Sequence, residues 1–119
     1  MKKENRIKKS HEIASIVKLK NKVVNKNFVI YFQKKSVEKN RFAFSVSKKY
    51  GHAFERNKAK RISREIFRKY VNQNLSLDFV IVIKKELKDS TYIELEKEAE
   101  FLMKLIKKKN GGTNEKKKL

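Results

Sequence analysis

The sequence predicts an α+β fold in a single domain, on three observations. Three short runs are rich in β-branched and aromatic residues, the flanking and intervening segments repeat apolar residues at three- and four-residue spacing, and 119 residues leave room for one core only. The first helix is expected over residues 10–19, where Ile13, Ile16 and Val17 share a face and Ser10 offers an N-cap. A helix this short needs packing to persist.

After a polar stretch from Asn21 to Asn27, the run Phe28-Val29-Ile30-Tyr31-Phe32 reads as a strand buried by Phe28, Ile30 and Phe32, with Val29 and Tyr31 facing the other way. The run Arg41 to Ser47 alternates strictly. Phe42, Phe44 and Val46 take one face, while Ala43, Ser45 and Ser47 form a small, polar face suited to close approach by a ligand backbone. From about Arg56 to Val71 the period becomes helical, with Ala59, Ile62, Ile66 and Tyr70 as the core stripe. Asp78 to Ile83 is a nearly unbroken apolar strand and is therefore expected at the centre of the sheet. Lys84 to Ser90 reads as a loop. The last helix opens with the capping pattern Thr91-x-x-Glu94 and buries Tyr92, Leu95, Ala99, Leu102 and Ile106. One domain over 1–109 is expected, followed by a disordered basic tail over 110–119.

Charge narrows the function. The chain has 33 Lys and Arg against 13 Asp and Glu, a net +20. Self-repulsion of that size is relieved by a polyanionic partner. Residues 1–75 hold 22 of the cations and 5 of the acids, so the anion-facing surface belongs to the first two thirds of the chain. There is no cysteine, which excludes a disulfide framework and a thiolate metal site and fits a reducing compartment. The longest apolar run, Phe79 to Ile83, is far below the roughly 20 residues that span a bilayer. A cytoplasmic protein without membrane contact is expected.

The most specific feature is the second helix. At about 100° per residue, Arg56, Lys60 and Arg64 lie on one row and Asn57, Arg61 and Arg68 on the next, all turned from the apolar stripe. Such rows can touch successive phosphates, and arginine can grip a phosphate with two parallel hydrogen bonds. A run of charge is ordinarily a solvated face. Here only Glu65 interrupts it between Arg56 and Lys69, so RNA binding is the preferred reading.

The stretch from Ser45 to Arg68, Ser-Val-Ser-Lys-Lys-Tyr-Gly-His-Ala-Phe-Glu-Arg-Asn-Lys-Ala-Lys-Arg-Ile-Ser-Arg-Glu-Ile-Phe-Arg, resembles the signature of the protein subunit of bacterial ribonuclease P. That signature is a Ser-Val-Ser-Lys-Lys strand end, a Gly-x-Ala turn and Arg-Asn-Arg-x-Lys-Arg-x-x-Arg on a helix. The segment Asn25 to Tyr31 and the helix opening Thr91-Tyr92 also follow the family, so the resemblance covers about residues 5–107. Two departures stand out. Lys58 replaces the third residue of the Arg-Asn-Arg triplet, and Ile13 and Val17 stand where the family usually carries phenylalanines.

The resemblance implies a two-layer α/β sandwich with a four-stranded sheet, in α-β-β-β-α-β-α order, with a left-handed β-α-β crossover like that of a ribosomal-protein domain. The general rule for such crossovers is right-handed. It implies that Arg56, Asn57, Lys58, Lys60, Arg61, Arg64 and Arg68 bind the catalytic RNA subunit. A cleft lined by Ile13, Val17, Phe28, Tyr31, Ser45, Lys48 and Lys49 would take the single-stranded 5′ leader of precursor tRNA. Tyr31 could offer a stacking surface there, or pack under a helix with its hydroxyl bonded.

No catalytic residue is expected in the protein. His11 and His52 lack a metal-ligand spacing and read as surface residues, and Glu94, Glu96, Glu98 and Glu100 are spread around their helix as solubility and dipole residues. The protein alone is expected to bind no cofactor, and Mg2+ in the holoenzyme to be held mainly by RNA. The expected partners are the catalytic ribonuclease P RNA and precursor tRNA, with no DNA. Three other classes compete with this reading. A structural, ribosomal-type RNA-binding protein would share the composition but not the linked motifs. A DNA-binding regulator would need a recognition pair of helices or a dimer zipper. A stand-alone nuclease would need convergent carboxylates or paired histidines.

Overall fold

The computed structural model describes residues 4–34, 39–73 and 75–109 in full, and the backbone alone at residues 3 and 110–118. The order is α1 (Ser10–Lys18), β1 (Lys22–Val24), β2 (Phe28–Lys34), β3 (Arg41–Val46), α2 (Ala53–Phe67), β4 (Leu77–Ile83) and α3 (Tyr92–Lys118). Short 3-10 turns lie at Lys3–Asn5, Lys48–Tyr50, Arg68–Tyr70 and Lys85–Asp89, the last within the expected loop. The predicted α-β-β-β-α-β-α order is observed. The tail expected over 110–119 lies outside the fully described residues.

The sheet runs β1-β2-β4-β3. β4 is central, as its unbroken apolar character predicts, pairing antiparallel with β2 and parallel with β3. α2 forms the crossover between those parallel strands. β1 escapes the sequence pattern because it is three residues long and buries only Val23.

The two faces of the sheet differ. On one, Phe28, Ile30, Phe42, Phe79, Ile81 and Ile83 meet α2 and α3 in the main core. Phe42 and Phe79 stack at 4.8 Å, and Phe28 meets Phe67 edge-on at 5.3 Å. α2 contributes Ala59, Ile66 and Phe67, the 3-10 turn after it Tyr70, and α3 Leu95, Ala99, Leu102, Met103 and Ile106. The alternation of β2 and β3 and most of the two helical stripes are thus realised. Ile62 is only partly buried, Ser63 is buried instead, and Tyr92 is exposed because it precedes the first residue of α3 to reach the core, Leu95.

On the other face a smaller cluster joins Ile16 of α1 to Ala43 and Val80, with Ile13, Val17, Tyr31 and Val82 packed around it. Helices therefore lie on both faces of the sheet. A salt bridge fixes α1 there, since Arg41 donates to Glu12 at 3.0 Å and to the fully buried Asp78 at 2.7 and 2.9 Å. These carboxylates hold the Arg41 guanidinium more firmly protonated than usual, against the opposing effect of burial.

Helix ends follow local chemistry in part. Lys9 rather than Ser10 is the N-cap of α1, with no side-chain cap bond. At α3 the predicted box forms: the Glu94 N–H donates to Thr91 Oγ1 at 3.2 Å, and the Thr91 N–H to Glu94 Oε1 at 3.0 Å. Asn40 closes the return from α2 to β4, with its amide donating to the Tyr70 and Gln73 carbonyls and its oxygen accepting from the Leu77 N–H at 3.3 Å. Glu98 is not merely a solubility residue. Its carboxylate accepts from the buried Asn27 amide at 2.5 and 3.0 Å and ties α3 to the β1–β2 turn.

Candidate nucleic-acid interface

α2 begins at a turn built for it. Gly51 has φ of +156°, and a Cβ there would stand 2.5 Å from Glu55 Oε1, so a side chain would disturb the cap that Glu55 makes to the His52 N–H at 2.9 Å. That hydrogen bond, with Lys88 nearby, holds the Glu55 carboxyl below its ordinary range. Arg56 donates to the Gly51 carbonyl at 2.7 Å, so part of its guanidinium braces the turn that starts the helix.

The cationic residues of α2 do not share one environment. Arg56, Lys60 and Arg64 are half-buried along the flank nearer β3, whereas Asn57, Lys58 and Arg61 are exposed. Lys58 is turned toward α3, lining a hollow with Tyr92 and Leu95. Arg68 lies past the α-helix in a 3-10 turn and pairs with Glu65 at 3.2 Å. The array thus wraps around the solvent side of the helix, with Arg68 partly neutralised.

The second predicted surface is the sheet face under α1. Tyr31, Val80 and Ala43 form one row across β2, β4 and β3, and Val29, Val82 and Ser45 form the next. Along β4, Asp78 and Val80 are fully buried but Val82 is only partly so, and Ser45 is exposed. α1 therefore covers the first half of this face and leaves the row at Val82 open. Ile13 and Val17 are half-buried beside it, Tyr31 is half-buried with Lys22 Nζ 5.8 Å from its ring centre, and Lys48 and Lys49 are exposed just past the end of β3.

Phe28 does not belong to this surface. It is 0% exposed and sits in the main core on the opposite face, as the two-residue period of its own strand requires. Its neighbour Val29 and the facing Val82 supply the floor instead. The strand alternation contains that signal for Val29, and the unbroken apolar run of β4 hides it for Val82.

The two predicted sets meet at one place. Arg64 of α2 and Ile13 of α1 both line a hollow of about 190 Å3 at the open side of β3, together with Arg6 and Lys8. His11 and His52 are exposed. Among the described residues, no group of three His, Cys, Asp or Glu side chains could hold a metal ion, and no helix is long and apolar enough to cross a membrane.

The fold and site together define a small α+β sandwich with a basic crossover helix and a half-open sheet face. Comparison with known proteins makes the class particular: a sequence model of the Ribonuclease P family matches residues 1–107, and the chain belongs to that family. It is 39% identical over 108 residues to the ribonuclease P protein component of Macrococcus caseolyticus, covering 90% of this chain and 94% of the relative. It is 43% identical over 97 residues to that of Phytoplasma australiense, covering 80% and 84%. A solved structure of the Staphylococcus aureus RNase P protein matches at TM-score 0.78 and 34% identity over 87% of this chain and 95% of that one. The RNase P protein of Thermotoga maritima matches at TM-score 0.69 and 27% identity, over 82% and 94%.

Proposed function

We propose that this chain is the protein component of ribonuclease P and assists removal of the 5′ leader from precursor tRNA. The observation that carries this reading is the α2 surface from Arg56 to Arg64, opposite the residues that α2 buries in the core, on a chain of the ribonuclease P family. In this reading Arg56, Asn57, Lys58, Lys60, Arg61, Arg64 and Arg68 meet the catalytic RNA. The leader runs over the open row of Val29, Val82 and Ser45, flanked by Ile13, Val17, Tyr31, Lys48 and Lys49. The hollow between Arg64 and Ile13 joins the two surfaces.

The chemistry belongs to the RNA subunit, with magnesium held mainly by RNA phosphates. In this reading the chain contributes binding, positioning and screening of the repulsion between two polyanions. The open row joins two valines to the small, polar Ser45, which suits a single strand whose bases lie flat, and Lys48 and Lys49 past the end of β3 suit its backbone.

The decisive experiment is cleavage of a 5′-labelled precursor tRNA at low magnesium by a bacterial ribonuclease P RNA, with and without this protein, and by the protein alone. Stimulation only in the joint reaction, yielding the mature 5′ end, is the expected result. Cleavage by the protein alone would place a nuclease site in this chain, and no stimulation would return the ribosomal-type alternative.

A further inference from the structure

The hollow that Lys58 lines is separate from the sheet face under α1. It opens between the start of α2 and the start of α3, measures about 470 Å3, and has Ala59, Ile62 and Leu95 in its lining. That volume falls within the range of roughly 300–1,000 Å3 of small-molecule pockets. Two aromatic side chains border it while remaining open to solvent: Phe54, 71% exposed, and Tyr92, 45% exposed. Phe54 is three, four and seven residues before Asn57, Lys58 and Arg61, so it stands on the same side of α2 as these exposed polar and cationic residues. The His52 ring lies nearly parallel to it at 6.2 Å.

An exposed phenylalanine amid cations contributes nothing to the core and is unfavourable in water. The charge around the opening decides what covers it. Lys58 and Lys88 border the hollow, and its one carboxylate, Glu55, is engaged by the His52 N–H at 2.9 Å and by Lys88 at 3.6 Å. Lys88 is further placed over the Tyr50 ring at 4.8 Å. Lys88 is paired with Glu55, and Asp89, Glu65 and Glu96 lie near the Tyr50 and Tyr92 borders, so the cationic side of the opening is that of Lys58, with Arg61 on the same side of α2. Exposed aromatic side chains beside such cations match an unpaired nucleotide, whose base stacks while its phosphate meets the charge.

We infer that this hollow receives one unpaired base of the catalytic RNA, stacked on Phe54 and bordered by Tyr92, with Lys58 meeting the adjoining phosphate. The inference rests on the proposed docking of α2 on that RNA. It adds a base-stacking contact to what is otherwise a surface for phosphates, and it places this contact on the α2–α3 side of the sheet, away from the leader.

The test uses the full chain and a bacterial ribonuclease P RNA, in binding titrations over a range of salt. Phe54→Ala is expected to weaken binding roughly five- to hundredfold, the range for one stacked base, without changing the slope of log affinity against log salt. Phe54→Leu should lose as much, since it keeps apolar bulk but no ring. Phe54→Trp should retain binding, and because the chain has no tryptophan of its own, its fluorescence should be quenched by the RNA. Wild-type affinity in Phe54→Ala or Phe54→Leu, or an unquenched Phe54→Trp, would overturn the stacking site while leaving α2 docking intact. Failure of the wild-type chain to bind the RNA at all would overturn both.

Discussion

Arg41 and Asp78 are register partners in the parallel pairing of β3 and β4, and their side chains join through two hydrogen bonds of 2.7 and 2.9 Å. The same guanidinium reaches Glu12 at 3.0 Å, so one arginine links the sheet to α1 and sets where that helix lies. Removing its charge while Asp78 stays buried should be more damaging than replacing both. Arg41→Met is expected to lower stability by about 3 kcal/mol in urea unfolding, and Arg41→Met with Asp78→Leu to recover most of it.

The half-buried row of α2 should act through charge. Replacing Arg56, Lys60 and Arg64 by alanine is expected to weaken RNA binding and to flatten its salt dependence, by roughly 0.7 to 0.9 in log-log slope for each phosphate no longer neutralised. Arg56→Ala should also lower stability, because Arg56 braces the Gly51 carbonyl. An unchanged slope in the triple variant would take this helix out of the interface.

Two residues of β2, on opposite faces of the sheet, separate fold from function. Phe28→Ala should cost about 3–5 kcal/mol of stability, the usual loss for a buried phenylalanine. Tyr31→Ala should lose about 1–3 kcal/mol of affinity for leader-bearing tRNA if a base stacks on it, with Tyr31→Phe retaining it. Equal binding of leader-bearing and leaderless tRNA by the wild type would assign Tyr31 to packing alone.

The helix caps predict a pH response. The Glu94 carboxyl is lowered first by the Thr91 backbone N–H, and the Glu55 carboxyl by that of His52. A depressed carboxylate contributes stability that is present above its ordinary value near 4.5 and lost as pH falls through its lower folded value. Glu94→Ala should therefore destabilise the protein near neutrality and matter progressively less below about pH 4. Thr91→Ala should cost about 1 kcal/mol near neutrality. Thermal unfolding of both variants at pH 7 and pH 3 checks this.

Much of this architecture is legible in the residues because strand alternation and helical stripes answer to one core. Phe42, Phe44 and Val46, or Leu95, Ala99 and Leu102, declare their face by spacing alone. β1 is not legible, since three residues with one buried valine carry no period. Placing Phe28 in the leader cleft follows the family resemblance against the strand's own alternation, and the alternation is right. Nor can spacing show that Arg56 reaches back to the Gly51 carbonyl, which depends on the turn before α2, or that Phe54 and Tyr92 border one hollow, which depends on how α2 and α3 converge.

The sheet order has a consequence for how the chain is made. β4, the centre of the sheet, is its last strand in sequence, and its partners on β3 lie 37 residues earlier. During synthesis β3 has no partner among the strands until β4 has emerged, and by then the whole of α2 is already outside. Pairings so far apart close slowly, because the intervening chain must be ordered before any contact offsets it. The basic helix of a nascent chain therefore precedes its core, and the native orientation of that helix arises in one late, cooperative step.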